Sequence, residues 1–335
     1  MMQKTAVIVT TIQAPTKAML SLRDGCRSAD YQFIVVGDLK TPEFELDGCQ
    51  YLNVNKQNET GFSYAGVSPV NSYARKNIGY LLAMREKSDI IIETDDDNIP
   101  YESFFATRHR MVTAAKVKDA GWVNAYRYFT DKFIWPRGIP LDSAKMLPAE
   151  YSELSAMLMD CPIQQGLVDG DPDVDAIYRL LMPLPITFER DKAVGVTQGS
   201  WCPFNSQNTV WWKDAFPLLY IPAYCTMRMC DIWRGLVAQA IAHVNGWAVL
   251  FHSPTALQER NVHNYMKDFS DEIAGYLHNN SIMQALSTLP MRPGIAYIPE
   301  NMLQCYEALI TIGVLEQNEM QLLNAWLADI KTLNA

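Results

Sequence analysis

Short runs of β-branched and aliphatic residues recur along the first part of the chain, at Thr5 to Thr11, Gln32 to Val36, Tyr51 to Val54 and Asp89 to Glu93. Each is strand-sized, and the segments between them are able to form helices. That alternation predicts an α/β fold, a mixed and mainly parallel sheet flanked by helices. Between the third and fourth runs, Asn71 to Lys87 places Ile78, Leu81 and Leu82 on one helical face, with Arg75 and Lys76 near its start. Further along, the pattern predicts a strand over Trp122 to Tyr128, a proline-rich middle from Pro136 to Pro185, an amphipathic helix over Asp231 to Val244 and a last strand over Trp247 to Phe251. The apolar period then becomes helical over Asp271 to Leu286, Glu300 to Leu315 and Glu316 to Leu333, the last with Met320, Leu323, Leu327 and Ile330 on one face. The expected organisation is a sheet domain over residues 1–260 and a C-terminal α-helical extension over 261–335. The apolar face of the extension suits packing on the sheet domain or a contact between copies in a homo-oligomer.

With 335 residues, 49% apolar and only 19% charged, the chain has material for a large core. A net charge of -9 and the lack of long basic runs exclude nucleic acid as a main partner, because phosphate backbones are held by clustered Lys and Arg. A nucleotide held through a metal ion stays compatible. The seven cysteines are dispersed, with no CxxC pair, so neither a disulfide framework nor a zinc site is indicated and a reducing cytoplasm is the expected setting. The N-terminal apolar run is too short for a signal peptide. Val237 to Phe251 is interrupted by His243, Asn245 and Gly246, so no integral membrane segment is expected.

The most constraining segment is Ile90 to Asn98, an apolar strand that ends in Asp95, Asp96 and Asp97. Two carboxylates about 4 Å apart repel by about 4 kcal/mol at an effective dielectric near 20, so such a cluster wants a cation. Hard oxygen ligands favour Mg²⁺ or Mn²⁺, and a site built on one or two carboxylates leaves positions for the phosphates of a nucleotide. An acidic solvated turn is the plain alternative; the three preceding isoleucines argue for a strand end, where ligands of open α/β sheets sit. The loop after the first strand, Thr11-Ile12-Gln13-Ala14-Pro15, has no glycine. That disfavours nucleotidyl transfer, which wraps a triphosphate in backbone amides, and excludes a GxGxxG dinucleotide site. A fold that uses a metal on the diphosphate of a nucleotide sugar remains.

AlaArgLysAsnIleGlyTyrLeu (74–81) followed by IleIleIleGluThrAspAspAspAsnIlePro (90–100) resembles the GT-A glycosyltransferase pattern, in which a helix precedes a strand ending in a DxD motif. GlnGlnGlyLeuValAspGlyAspProAspValAspAlaIleTyrArgLeu (164–180), ProPheAsnSerGlnAsnThr (203–209) and ArgMetCysAspIleTrpArgGly (228–235) resemble the STELLO-type glycosyltransferases, whose plant members are Golgi proteins linked to cellulose synthesis. The likeness runs from the first strand to His252; the N-terminal membrane anchor of the plant proteins has no counterpart here, and the helical tail carries no matching motif. The resemblance implies that Asp95 and Asp97 are the DxD pair, Asp97 on the metal and Asp95 on the metal or the donor ribose, with Asp96 as a substitute. It further implies that Asp173 and Asp175 line the donor-sugar pocket and that His252, or less well His263, supplies a further metal ligand. A core histidine is the alternative for His252.

Asp231 is the candidate base for an inverting transfer, and equally a candidate N-cap for the helix that follows. Asp169, Asp171, Asp173 and Asp175 do not make a calcium loop, because Val174 and Leu180 stand where Gly and Glu are needed. Asp171 is instead expected to cap a helix opening at Pro172. Asn205, Ser206, Gln207 and Asn208, between Trp201 and Trp211, have the composition of a sugar-recognition segment. By position in the fold class, Asp38, Thr10 and Thr11 border the nucleotide, and Arg75 and Lys76 offset diphosphate charge. The leading expectation is a Mn²⁺- or Mg²⁺-dependent enzyme moving a sugar from a UDP-sugar donor to a glycan acceptor. The alternatives are a mutase or self-glycosylating protein, from a general likeness to the DDD motif of reversibly glycosylated polypeptides, and a non-catalytic scaffold binding partners through its tail.

Overall fold

A computed structural model of the chain describes residues 3–259 and 264–334. Its strands are β1 (Thr5–Thr10), β2 (Gln32–Val36), β3 (Gln50–Leu52), β4 (Ile90–Thr94), β5 (Asn98–Pro100), β6 (Met111–Val117), β7 (Gly121–Trp122), β8 (Ala156–Asp160), β9 (Ile163–Gly170), β10 (Ala193–Val196), β11 (Ser200–Trp201), β12 (Asn208–Trp212) and β13 (Val249–Gln258). The helices are α1 (Lys17–Ala29), α2 (Val54–Asn58), α3 (Ser63–Val67), α4 (Lys76–Arg85), α5 (Leu141–Ala144), α6 (Ala176–Leu181), α7 (Cys230–Val244), α8 (Tyr265–Thr288), α9 (Ile298–Ile312) and α10 (Glu319–Leu333). The large sheet runs β3-β2-β1-β4-β12-β9-β13-β10-β6-β8, with β5 on the end of β13, while β7 and β11 form a separate parallel pair. It is a mixed sheet: β3-β2-β1-β4 is parallel throughout, and antiparallel pairs enter from β12 onward.

Strand periodicity explains how both faces are buried. In β1, Ala6 and Ile8 join the core beneath α4, α7 and the C-terminal helices, whereas Val7 and Val9 face Met19, Leu22 and Cys26 of α1. Residues with no polar face suit a strand covered on both sides. Because β1, β4, β9 and β13 point the same way, their C-terminal ends open on one rim, where Thr10, Asp95 to Asp97, the loop after Gly170 and Gln258 gather. Glu93, with no exposed surface, is held inside by Arg234 at 2.8 Å and Trp211 Nε1 at 2.9 Å; it supports the sheet and takes no part in the rim.

Several expectations need correction. The third run stops at Leu52, because Asn53 accepts a bond from Lys56 N and caps α2, so Val54 is helical. Only Gly121 and Trp122 form a strand of the stretch to Tyr128; a 3₁₀ turn over Ala125–Tyr128 then buries Tyr126 and Tyr128 in the core. The middle of the chain conceals β9, a central strand, since its buried glutamines read as polar; Gln164 donates to His109 O and Gln165 to Asn208 O. Asp175, not Asp171, caps α6, through a 2.8 Å bond from Tyr178 N, while Asp171 is taken by Arg179. Met229 occupies the N-cap of α7 with no side-chain bond, which sets Asp231 inside the first turn and removes its capping role.

No helix among the described residues is long and apolar enough to cross a membrane. The apolar face of the last helix is spent internally, with Leu323 and Trp326 fully buried in the main core.

Candidate active site

The rim surrounds a cavity of about 560 Å³ lined by Thr10, Thr11, Asp38, Arg75, Asp95, Asp96, Asp97, Asp173, Ser206, Gln207 and Asp231, all expected from the sequence, together with Tyr73, Arg137, Arg228 and Gln258. Each carboxylate of the triplet is held by its own neighbour. Tyr73 OH donates to Asp95 Oδ1 at 2.9 Å, and Lys76 Nζ, fully buried beneath, approaches the same oxygen at 3.4 Å. Thr11 Oγ1 donates to Asp96 Oδ2 at 2.6 Å and Gln258 Nε2 to Asp97 Oδ1 at 3.0 Å. Burial raises the Asp95 carboxyl to about 6 against the pull of Lys76 and Tyr73, with Asp97 and Asp231 adding to the rise. Burial likewise raises Asp96, against its bond from Thr11 and with Asp95 adding.

A second acidic cluster lies on the loop before α6 and the first turn of α7. Arg137, 5% exposed, spans it: Nε and Nη2 reach Asp173 at 2.8 Å each, and Nη1 and Nη2 reach Asp231 at 3.0 Å each. The remaining Nη1 hydrogen goes to the Arg228 carbonyl. Ser206 adds its N–H and hydroxyl to Asp231 Oδ2, both at 3.2 Å. Burial alone would raise the Asp231 carboxyl, but the charge and hydrogen bonds of Arg137, helped by Arg234, hold it down to about 2. The two clusters are joined, because Ser206 Oγ also lies 2.7 Å from Tyr73 OH.

Other expected residues serve differently. Lys76 sits below the cavity and works by holding Asp95, Tyr73 and Thr94 O rather than by meeting phosphate. Arg75 spends Nε on Gln57 at 2.6 Å and Nη1 on Ser68 O at 3.1 Å, bracing the loop that Asp38 closes through Leu39 N, Asn71 N and Ser72 N. Asp175, Asn205 and Asn208 lie behind the wall. Asp175 is bonded by Trp135 Nε1 at 2.6 Å, Asn205 Nδ2 donates to Asp173 at 2.8 Å, and Asn208 Nδ2 binds Thr255 Oγ1 at 2.8 Å. His252 is not beside the triplet: it stands 3.5 Å from Arg108 Nη1, and burial together with that cation lowers it to about 3. A cation as neighbour is a poor setting for a metal ligand, so His252 is removed from the ligand set. His263 lies outside the described residues.

Among the described residues, no three His, Cys, Asp or Glu side chains form a metal cage. The donor chemistry fits a site completed by a substrate: the bonds to Asp95 and Asp96 described above each occupy one oxygen and leave the other facing the cavity, and burial raises both carboxyls, a cost that a bound cation would relieve.

An α/β sheet whose C-terminal rim carries an acidic strand end beside a polar cavity is a GT-A-like arrangement. The family model of the STELLO glycosyltransferases matches residues 228–335, helical tail included, which corrects the expectation that the tail carries no matching motif. The chain is 25% identical to probable glycosyltransferase STELLO2 of Arabidopsis thaliana, over 97% of this chain and 44% of that protein. It is 26% identical to probable glycosyltransferase STELLO1 of the same plant, with the same coverage. The chain is thus similar to these STELLO proteins along nearly its whole length, and it spans less than half of theirs. A solved structure described as a mycobacterial protein aligns with a TM-score of 0.38 and 10% identity, over 85% of this chain and 73% of that one, too slight a likeness to carry an argument.

Proposed function

We propose that this chain is a metal-dependent glycosyltransferase that moves a sugar from a nucleoside diphosphate donor, a UDP-sugar in the first instance, to a glycan acceptor. The observation that carries the reading is the meeting of two acidic clusters of different character in one cavity, three carboxylates beside the Lys76 cation and two carboxylates bridged by Arg137. In this reading Asp95 and Asp97, with Asp96, hold Mn²⁺ or Mg²⁺, which when bound supplies charge to the leaving diphosphate. Tyr73, Lys76, Thr11 and Gln258 hold those carboxylates in place before substrate arrives. Thr10, Thr11 and the loop closed by Asp38 border the nucleoside, and Gln207, with Nε2 2.8 Å from Gln258 Oε1, stands between the sugar and the metal side.

Asp173 and Asp231 against one guanidinium leave one net negative charge, suited to the positive charge that grows on a sugar ring as its glycosidic bond breaks. With its carboxyl near 2, Asp231 is a weak base, so its contribution lies in this charge more than in taking the acceptor proton.

Purified protein with Mn²⁺ is expected to bind and slowly hydrolyse a UDP-sugar from a panel of UDP and GDP sugars. Asp97→Ala should abolish both without moving the thermal midpoint. Unchanged turnover in that variant would remove the triplet from the mechanism.

A further inference from the structure

We infer that Arg137 is a positioning residue: it binds no substrate itself and instead sets the orientation of the Asp173 and Asp231 carboxylates. This rests on the glycosyl-transfer reading for its consequence, but the geometry stands apart from it. A guanidinium has five N–H donors in a fixed planar fork. All five are used here, two on Asp173, two on Asp231 and one on the Arg228 carbonyl, so none is left for a phosphate or a sugar hydroxyl although the residue lines the cavity. The carboxylates it joins come from different parts of the chain, Asp173 between β9 and α6 and Asp231 from the first turn of α7. Nothing else described bonds to both. Without the fork, two buried carboxylates would face one another with Asn205, Ser206 and the Ile232 N–H as their remaining hydrogen-bond donors, and they would repel and turn apart, or Asp231 would take up a proton.

Lysine keeps the charge but has a single donor atom that cannot lie in the plane of both carboxylates, so Arg137→Lys separates charge from geometry. Asp231 is also faced by Arg234 and Cys230 on its own helix, by Cys225 from the segment before it, and by Tyr73 and Asp95 from the triplet side, and these remain in the variants.

The test uses the full chain and two independent readouts. Carbon-13 spectra of labelled aspartate carboxyls, with the Asp231 signal assigned through Asp231→Asn, are expected to show wild-type Asp231 ionised and unchanging between about pH 4 and pH 8. In Arg137→Gln the signal should titrate within that window. Arg137→Lys, the safer variant for folding, should show a changed Asp231 shift at constant pH. An Asp231 signal identical to wild type in either folded variant overturns the proposal. With Mn²⁺ and UDP-glucose, Arg137→Lys should lose about 100-fold in kcat with KM within about threefold, the signature of misplaced groups rather than lost binding. Methylguanidinium should restore part of the activity of Arg137→Gly, whereas its neutral isostere methylurea should not; equal restoration by both, or an unchanged kcat, counts against a positioning role. If wild type does not turn over UDP-glucose, the donor assignment fails, and the role of Arg137 is decided by the spectra alone.

Discussion

Asp95 holds its proton more tightly than an exposed aspartate, its carboxyl rising from the ordinary 3.8 to about 6 because burial outweighs Lys76 and Tyr73. Proton and divalent cation compete for the same oxygens. Mn²⁺ affinity is therefore expected to rise roughly tenfold per pH unit below the Asp95 value and to level off above it. In the cation-free chain the sign is opposite: a raised carboxyl contributes stability that is present below its unfolded value and lost as pH rises through about 6, and added Mn²⁺ should offset that loss. Calorimetric titration with Mn²⁺ from acid to neutral pH checks this, and a flat affinity would detach Asp95 from the cation. The triplet was legible in the sequence because three acids at the end of an apolar run form a local pattern. Arg137 and Tyr73 were not, since Arg137 meets its carboxylates 36 and 94 positions away and Tyr73 meets Asp95 and Ser206 at 22 and 133.

The position of α4 decides where Tyr73 and Lys76 point, and Gly79 decides how closely α4 approaches the sheet. A methyl group there would lie 2.7 Å from Val36 Cγ2 and 2.8 Å from Ile8 Cγ2. Helix propensity alone would make Gly79→Ala stabilising by about 1 kcal/mol. The close approach reverses the sign, and the variant is expected to lose about 1–3 kcal/mol in urea unfolding and to bind Mn²⁺ more weakly, because the head of α4 must lift. For α6, the cap matters more than charge. Asp175→Asn keeps one acceptor oxygen, for Tyr178 N, but sets its Nδ2 against the Trp135 Nε1 donor and should cost about 1–2 kcal/mol, while Asp175→Ala loses both bonds and should cost about 1–3 kcal/mol. Burial raises the Asp175 carboxyl to about 6, against its two bonds, so the Asn variant should gain relative to wild type as pH climbs past that value. The sequence placed this cap four residues early: Asp171 and Pro172 carry the usual start signal, and the preference of Arg179 for Asp171 is a contact that helical pattern does not encode.

The C-terminal helices are built into the molecule rather than appended to it. Trp326 is fully buried, with its ring against Tyr64 and Tyr220 and Nε1 bonded to Pro217 O at 2.9 Å. Asp329 accepts from Ser63 N and Tyr64 N at 2.9 and 2.8 Å, capping α3 from the far end of the chain. Glu319 accepts from Ala223 N and Tyr224 N at 3.0 and 2.8 Å, in the segment that leads into α7 and so to Asp231. Trp326→Ala is expected to cost about 3–5 kcal/mol in urea unfolding, as for a core aromatic. A loss below about 1 kcal/mol would mean that the tail packs loosely and that its apolar face is free for another partner.

Residue order alone was enough for the strands β1, β2 and β4 of a parallel sheet, the helical tail and the acidic strand end, because each depends on a period or a cluster within about twenty positions, where backbone geometry maps spacing directly onto a face. It was not enough for β9, whose glutamines are tolerable only beside the carbonyls that satisfy them, or for the exclusion of His252, which follows from Arg108 at its ring. Nor was it enough for the carboxylate pair bound by Arg137. Those outcomes depend on which distant groups share a low-dielectric interior, and folding in three dimensions sets that company by bringing β9, β12, β13 and α7 to one rim.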